Sequence, residues 1–156
     1  MRFYRGVFPA LSALRKAGFR LVVVTNQSGV GRGLMSLGDV RKVHARMSRL
    51  LGGGGVKLDG IYLCPHRPDE RCPCRKPRTQ LFLRAARRLV IDLKNSYCIG
   101  DRLGDILPAR SLGARAILVL TGEGRRQRAP RGFGFETAPN LAAAAAKILK
   151  GAPHAK

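Results

Sequence analysis

Four short apolar runs, FRLVVVT (19–25), LDGIYLC (58–64), SYCIG (96–100) and ARAILVL (114–120), recur along the chain with helix-patterned segments between them. Each run has strand length. FRLVVVT and ARAILVL are apolar almost throughout, which predicts burial on both faces, as in a parallel sheet. Strand alternating with helix predicts a doubly wound α/β fold. Val7, Leu11 and Leu14 stand at helical spacing, and Gly18 ends that segment. Ser36 with Asp39 has the form of a capping box and opens a helix to about Leu51, ended by GGGG at 52–55. Thr79 caps a helix to about Val90. A further helix runs to Leu112 and stops at Gly113. Asn140 caps an alanine-rich helix to Leu149. FGFET (133–137) is a candidate fifth strand. With 156 residues, these elements form one domain over 1–150, and the tail 151–156 is expected to be disordered.

No apolar run approaches the roughly 18 residues of a membrane span, and the first residues lack a continuous apolar stretch with a cleavage site. The expectation is a cytoplasmic protein, where free cysteines more often bind metal or react than pair as disulfides. Thirty Lys+Arg against nine Asp+Glu give a net charge of +21. That charge admits a nucleic-acid partner. However, the arginines are spread over every segment, and the aromatics are too few and dispersed for a base-stacking platform. A small anionic substrate is therefore the expected partner, with no membrane, and the chain is expected to be a monomer.

Ligands of doubly wound sheets sit at the carboxyl ends of the strands, where three polar motifs fall. The first, CPHRPDERCPCRKP (64–77), carries Cys64, His66, Cys72 and Cys74. Three thiolates and one imidazole complete a tetrahedral zinc site with no open position, so the metal would be structural. A proline-rich loop with few apolar side chains gains its ordering free energy from such a metal. The alternatives are a disulfide or unrelated thiols. Cys98 lies within a strand and reads as an inert buried thiol.

The second motif, TNQSG (25–29), groups hydroxyl, amide and backbone donors around a space suited to a phosphoryl group. It equally describes an ordinary turn. Arg32 follows, and Arg75 and Lys76 adjoin the last cysteine. A guanidinium fork beside a point charge suits a phosphate ester, the alternative being two solvated charges. The third motif, GDRLGD (100–105), puts Asp101 at a strand tip, where it can ligate magnesium or cap a helix. Asp105 can brace the loop or the lysine.

Together these residues resemble the haloacid-dehalogenase-type phosphatases, and more closely the zinc-containing D-glycero-D-manno-heptose 1,7-bisphosphate 7-phosphatases. The resemblance runs from about Gly6 to Leu149 in TNQSGVGRG, CPHRPDERCPCRKP and GDRLGD. Histidinol-phosphate phosphatases carry a similar zinc loop. The resemblance implies a magnesium-dependent phosphatase of a sugar phosphate in heptose and lipopolysaccharide-precursor synthesis. Thr25 and Asn26 would hold the transferred phosphoryl group, Lys76 would stabilise its charge and Asp101 would ligate Mg2+. Gln27, Ser28, Arg32, Arg75 and Arg102 would contact substrate, and Cys64, His66, Cys72 and Cys74 would hold Zn2+.

One family motif is missing. The family attacks phosphorus with an aspartate of a D-x-D-G-T motif on the first, central strand, whereas the first acidic residue here is Asp39. The expectations are that the central strand is absent from this chain, that its neighbours, including FRLVVVT or SYCIG, lose a partner, and that the recorded start lies some tens of residues inside the gene product. Two further readings are a non-catalytic sugar-phosphate-binding protein and a basic nucleic-acid-binding module.

Overall fold

The computed structural model describes residues 1–128, 132 and 134–151. The chain runs α1 (Val7–Lys16), β1 (Val22–Asn26), α2 (Ser28–Gly31), α3 (Leu37–Gly53), β2 (Gly60–Cys64), a 3-10 turn (Pro68–Glu70), α4 (Gln80–Leu89), β3 (Tyr97–Gly100), α5 (Leu103–Ile106), α6 (Pro108–Leu112), β4 (Arg115–Val119), a second 3-10 turn (Gly124–Arg126), β5 (Glu136–Ala138) and α7 (Leu141–Gly151). Every strand pairing is parallel.

The sheet is in two pieces. β1 pairs with β2, and β3, β4 and β5 form a second sheet in that order. Among the described residues, β1 and β3 have no second strand partner. Their edges line a common cavity of about 970 Å³, with Val22 to Val24 on one side and Tyr97 to Gly100 on the other. The expected gap in the parallel sheet is therefore observed, between the two strands named for it.

Alternation along β4 shows why the layers form. Ile117 and Val119 face α1 and α7, in a cluster with Leu14, Leu51, Val56 and Ile148. Ala116 and Leu118 point the other way, onto Cys98, Ile106 and Ala109. A strand buried on both faces has no position for a polar residue, which explains its apolar sequence. Asp59 ties the first sheet to α1. Its Oδ2 accepts from Arg15 Nη1 at 2.6 Å and from the Leu21 N–H at 2.7 Å.

Several helix boundaries differ from the sequence reading. Ser36 and Asp39 do form a capping box at the start of α3, but the helix continues through Gly52 and Gly53. Thr79 occupies the cap position of α4 without a capping side-chain hydrogen bond, so that helix starts without the expected cap. The segment before Gly113 is two short helices, because Pro108 lacks the N–H that continuous helix would need. NQSGVGRG contains one helical turn, α2, rather than irregular loop throughout. Asn140 caps α7 through a bond to the Ala143 N–H at 2.9 Å, and α7 extends to Gly151, past the expected end. Residues 152–156 of the expected tail, and Phe133 of FGFET, lie outside the described residues. The fifth strand itself is Glu136–Ala138.

Ile117 is fully buried at the centre of the larger core. Ile117→Ala should lower stability by about 2–5 kcal/mol, measured by urea denaturation. A loss below about 1 kcal/mol would mean that the core is looser than this packing requires.

Candidate active site and metal loop

β2 ends in Cys64, which is fully buried, and the next residues turn away as the proline-rich loop. Cys64 Sγ lies 3.4 Å from Cys72 Sγ and 3.6 Å from His66 Nδ1. Cys74 Sγ lies 3.2 Å from His66 Nδ1 and 3.5 Å from Cys72 Sγ. All four ligand atoms fall within 4.8 Å of one another. A tetrahedron with zinc–sulfur bonds of about 2.3 Å and zinc–nitrogen bonds of about 2.0 Å has edges of about 3.5–3.8 Å. The set therefore fits zinc, and the cysteines are free thiols rather than disulfides.

Crowding of the sulfurs splits their acidity. Burial, then the neighbouring Cys64 and Cys72, push the Cys74 thiol up to about 12. Burial also raises Cys64. For Cys72 burial works in the same direction, but hydrogen bonds from Cys64, Cys74 and the Arg75 backbone outweigh it and lower this thiol to about 7. A divalent cation would displace the protons that Cys64 and Cys74 hold and bind all three sulfurs as thiolates.

The loop is held to the rest of the site by its backbone. Gln27 N–H donates to Cys64 O at 2.7 Å, and Gly31 N–H to Pro65 O at 2.9 Å. Gly31 cannot carry a side chain there, since an added Cβ would stand 2.9 Å from that same carbonyl oxygen. Arg75 Nη1 donates to His66 O at 3.3 Å, and Arg78 Nη1 to Cys72 O at 2.6 Å. Arg75 thus braces the metal loop.

At the tip of β1 the Asn26 carboxamide grips the Lys76 backbone on both sides. Nδ2 donates to Lys76 O at 3.2 Å, and Oδ1 accepts from Lys76 N–H at 3.0 Å. The Lys76 ammonium reaches Asp105 Oδ1 at 2.7 Å and also donates to Val24 O. This pair is mostly buried, with side-chain exposures of 11% and 19%. The expected bracing of the lysine by Asp105 is present. Asp105 Oδ2 also accepts from the Arg102 N–H at 3.2 Å, so Asp105, not Asp101, caps α5.

Asp101 sits at the end of β3 and lines the same cavity as Lys76 and Asp105. Its Oδ2 accepts from the Glu123 N–H at 3.0 Å, and its Oδ1 has no hydrogen-bond partner among the described residues. A strand-tip carboxylate with one free oxygen fits the hard-oxygen preference of magnesium. Thr25 Oγ1 accepts from Gln27 Nε2 at 3.0 Å. Ser28 begins α2 and Arg32 follows it. Lys76 and Asp101 therefore line one cavity, and Thr25 directly follows Val24, which also lines it. Cys98 lies below it as a buried thiol, raised to about 11 by burial and by Asp105, with Lys76 opposing. Because its folded value is raised, its stabilising contribution is complete below the ordinary thiol value and is lost as pH rises towards 11.

Sequence reasoning did not single out the backbone of Gly122 and Glu123. Its only signal is the turn sequence TGEG directly after the fourth strand.

The comparisons with known proteins agree with this geometry. The HAD-hydrolase-like family matches residues 73–146. A D-glycero-β-D-manno-heptose-1,7-bisphosphate 7-phosphatase from Bordetella bronchiseptica is 38% identical over 147 residues, covering 93% of this chain and 82% of its own length. This chain belongs to that phosphatase family. A second member, from Haemophilus ducreyi, is 42% identical over 130 residues, covering 78% of this chain and 71% of its own. The crystal structure of the B. bronchiseptica D,D-heptose 1,7-bisphosphate phosphatase, complexed with magnesium and phosphate, superposes with a TM-score of 0.85. It is 36% identical and covers 95% of this chain and 84% of that one.

In zinc-loaded protein at pH 8, a thiol reagent should label none of the four cysteines rapidly. A strong chelator should free three, and Cys98 should react only after denaturation. Fast labelling of Cys64, Cys72 and Cys74 before chelation would dismiss the metal.

Proposed function

We propose that this crevice binds a sugar bisphosphate with magnesium and serves its dephosphorylation, the substrate being D-glycero-D-manno-heptose 1,7-bisphosphate and the bond that of the 7-phosphate. The observation that carries this reading is that Lys76, Asp101 and Asp105 line one cavity together with Val24 of β1, in a chain at 38% identity to an enzyme of that name. Asp101 would hold Mg2+ through Oδ1. When bound, the metal supplies positive charge to the phosphoryl oxygens.

Lys76 supplies a second charge. Asp105 and the Val24 carbonyl hold its ammonium at a fixed point, so little reorganisation is needed as charge builds on the phosphoryl group. Thr25 offers its hydroxyl to the same group. Asn26 takes part by holding Lys76 at its backbone. Gln27, Ser28, Arg32, Arg75 and Arg102 are the candidate contacts for the sugar and its second phosphate, the guanidinium forks being suited to a phosphate dianion. The zinc loop fixes where Lys76 emerges and takes no part in proton transfer. Residues 1–150 act as one domain. The reading carries a monomeric cytoplasmic enzyme, its free cysteines grouped as metal ligands suiting a reducing compartment.

A second reading is a sugar-phosphate-binding protein without turnover. Among the residues of this sequence none stands as attacking carboxylate before Thr25, so the two readings differ in turnover alone. The resemblance puts the family's attacking aspartate on a central strand, and among the described residues no strand lies between β1 and β3.

Heptose bisphosphate, magnesium and the purified protein separate the two readings. Release of one phosphate supports the phosphatase. Magnesium-dependent binding without release supports the binder. In either case Lys76→Ala should reduce the readout by roughly a hundredfold for turnover, or about tenfold for binding. An unchanged Lys76→Ala protein would remove the lysine from the site.

A further inference from the structure

We propose that the loop between β4 and β5, through Gly122, Glu123 and Gln127, is the positioning device that fixes the Asp101 carboxylate for its metal. This rests on the reading of Asp101 as a magnesium ligand and names what orients that ligand.

Four contacts make the case. The Glu123 N–H donates to Asp101 Oδ2 at 3.0 Å, which occupies one carboxylate oxygen and leaves Oδ1 for another ligand. Gly122 is left-handed, with φ +55°, and packs against that carboxylate. A Cβ at this position would stand 2.2 Å from Oδ2 and 3.1 Å from Cγ. No flexible side-chain end could yield there without moving the carboxylate itself. Gly124 presses the loop onto the end of β4, where an added Cβ would lie 1.9 Å from Val119 O. Finally, Gln127 spans the two loops. Its Oε1 accepts from the Leu103 N–H at 3.0 Å, beside Asp101 in sequence, and its Nε2 donates to Glu123 O at 3.5 Å.

The backbone of Glu123 is therefore held at both ends, by Asp101 through its N–H and by Gln127 through its carbonyl. A carboxylate tethered by one oxygen has lost the rotation about its side chain before any metal arrives. Partners that orient a ligand in this way are worth roughly 10–100-fold in metal affinity. None of Gly122, Glu123 and Gln127 needs to touch substrate. They are positioning residues.

The test uses Mn2+ as probe, with inorganic phosphate present, its binding followed by electron paramagnetic resonance. Gly122→Ala should raise the manganese dissociation constant by roughly tenfold or more, and Gln127→Met by several-fold. Arg125→Ala, an exposed change on the same loop, should leave it within about twofold. Zinc content should be unchanged in all three, and a parallel loss of zinc would show general unfolding and overturn the proposal. A metal-free arm reads the contact itself. Asp101→Ala should speed hydrogen exchange of the Glu123 amide by roughly tenfold, since its acceptor is gone. An unchanged exchange rate would sink the proposal whatever the metal data show. If the wild-type protein binds no manganese, the magnesium reading fails, and the exchange experiment still decides whether the loop holds Asp101.

Discussion

The ion pair between Lys76 and Asp105 spans the two halves of the molecule. Lys76 belongs to the metal loop that hangs from the β1–β2 sheet, and Asp105 to the helix that follows β3. Between those sheets lies the cavity where β1 and β3 have no strand partner. A mostly buried pair of opposite charges is weak evidence of net stability, because desolvation offsets much of the attraction. Its value here is positional. It fixes an ammonium in a cavity that Asp101 also lines, and the placement of that ammonium depends on everything attached to it.

Each support of Lys76 comes from a different part of the sequence. Asn26 grips its peptide from the tip of β1. The cysteines and His66 fix the loop two residues upstream, and Gln27 and Gly31 hold that loop against α2. Tying the loop with a metal suits this place, since its prolines and charges leave it little apolar surface to bury. The Cys/His cluster and the cavity that Lys76 lines are thus one mechanical unit, with Lys76 as the joint.

A similar logic holds on the far side. β4 is buried on both faces, so it is a rigid base for the loop that leaves it. That loop returns to Asp101 through Glu123 and to Leu103 through Gln127. The carboxylate and the ammonium that share the crevice are each oriented by backbone groups set on a strand end. Backbone geometry of this kind is stiffer than a side chain alone, which suits a site that must hold charge in place.

The amino-acid sequence determined the strands, the order of strand and helix, the four metal ligands and the polar motifs at the strand ends, because burial on both faces forces continuous apolar runs and tetrahedral zinc demands a fixed set of side chains. Capping at Ser36 and Asn140 was legible for the same local reason. The sequence also showed that no acid precedes Asp39. Helix ends at Gly53, Thr79 and Pro108 were less legible, since they turn on packing and on which donors remain unsatisfied. Only the tertiary structure decided that Asn26 spends its amide on the Lys76 backbone, that Arg75 braces the metal loop, and that Gly122 and Glu123 bear on Asp101. Those contacts join residues 9, 21, 22 or 50 positions apart. Spacing along a chain carries no trace of a hydrogen bond that exists only once two strand ends have been brought side by side.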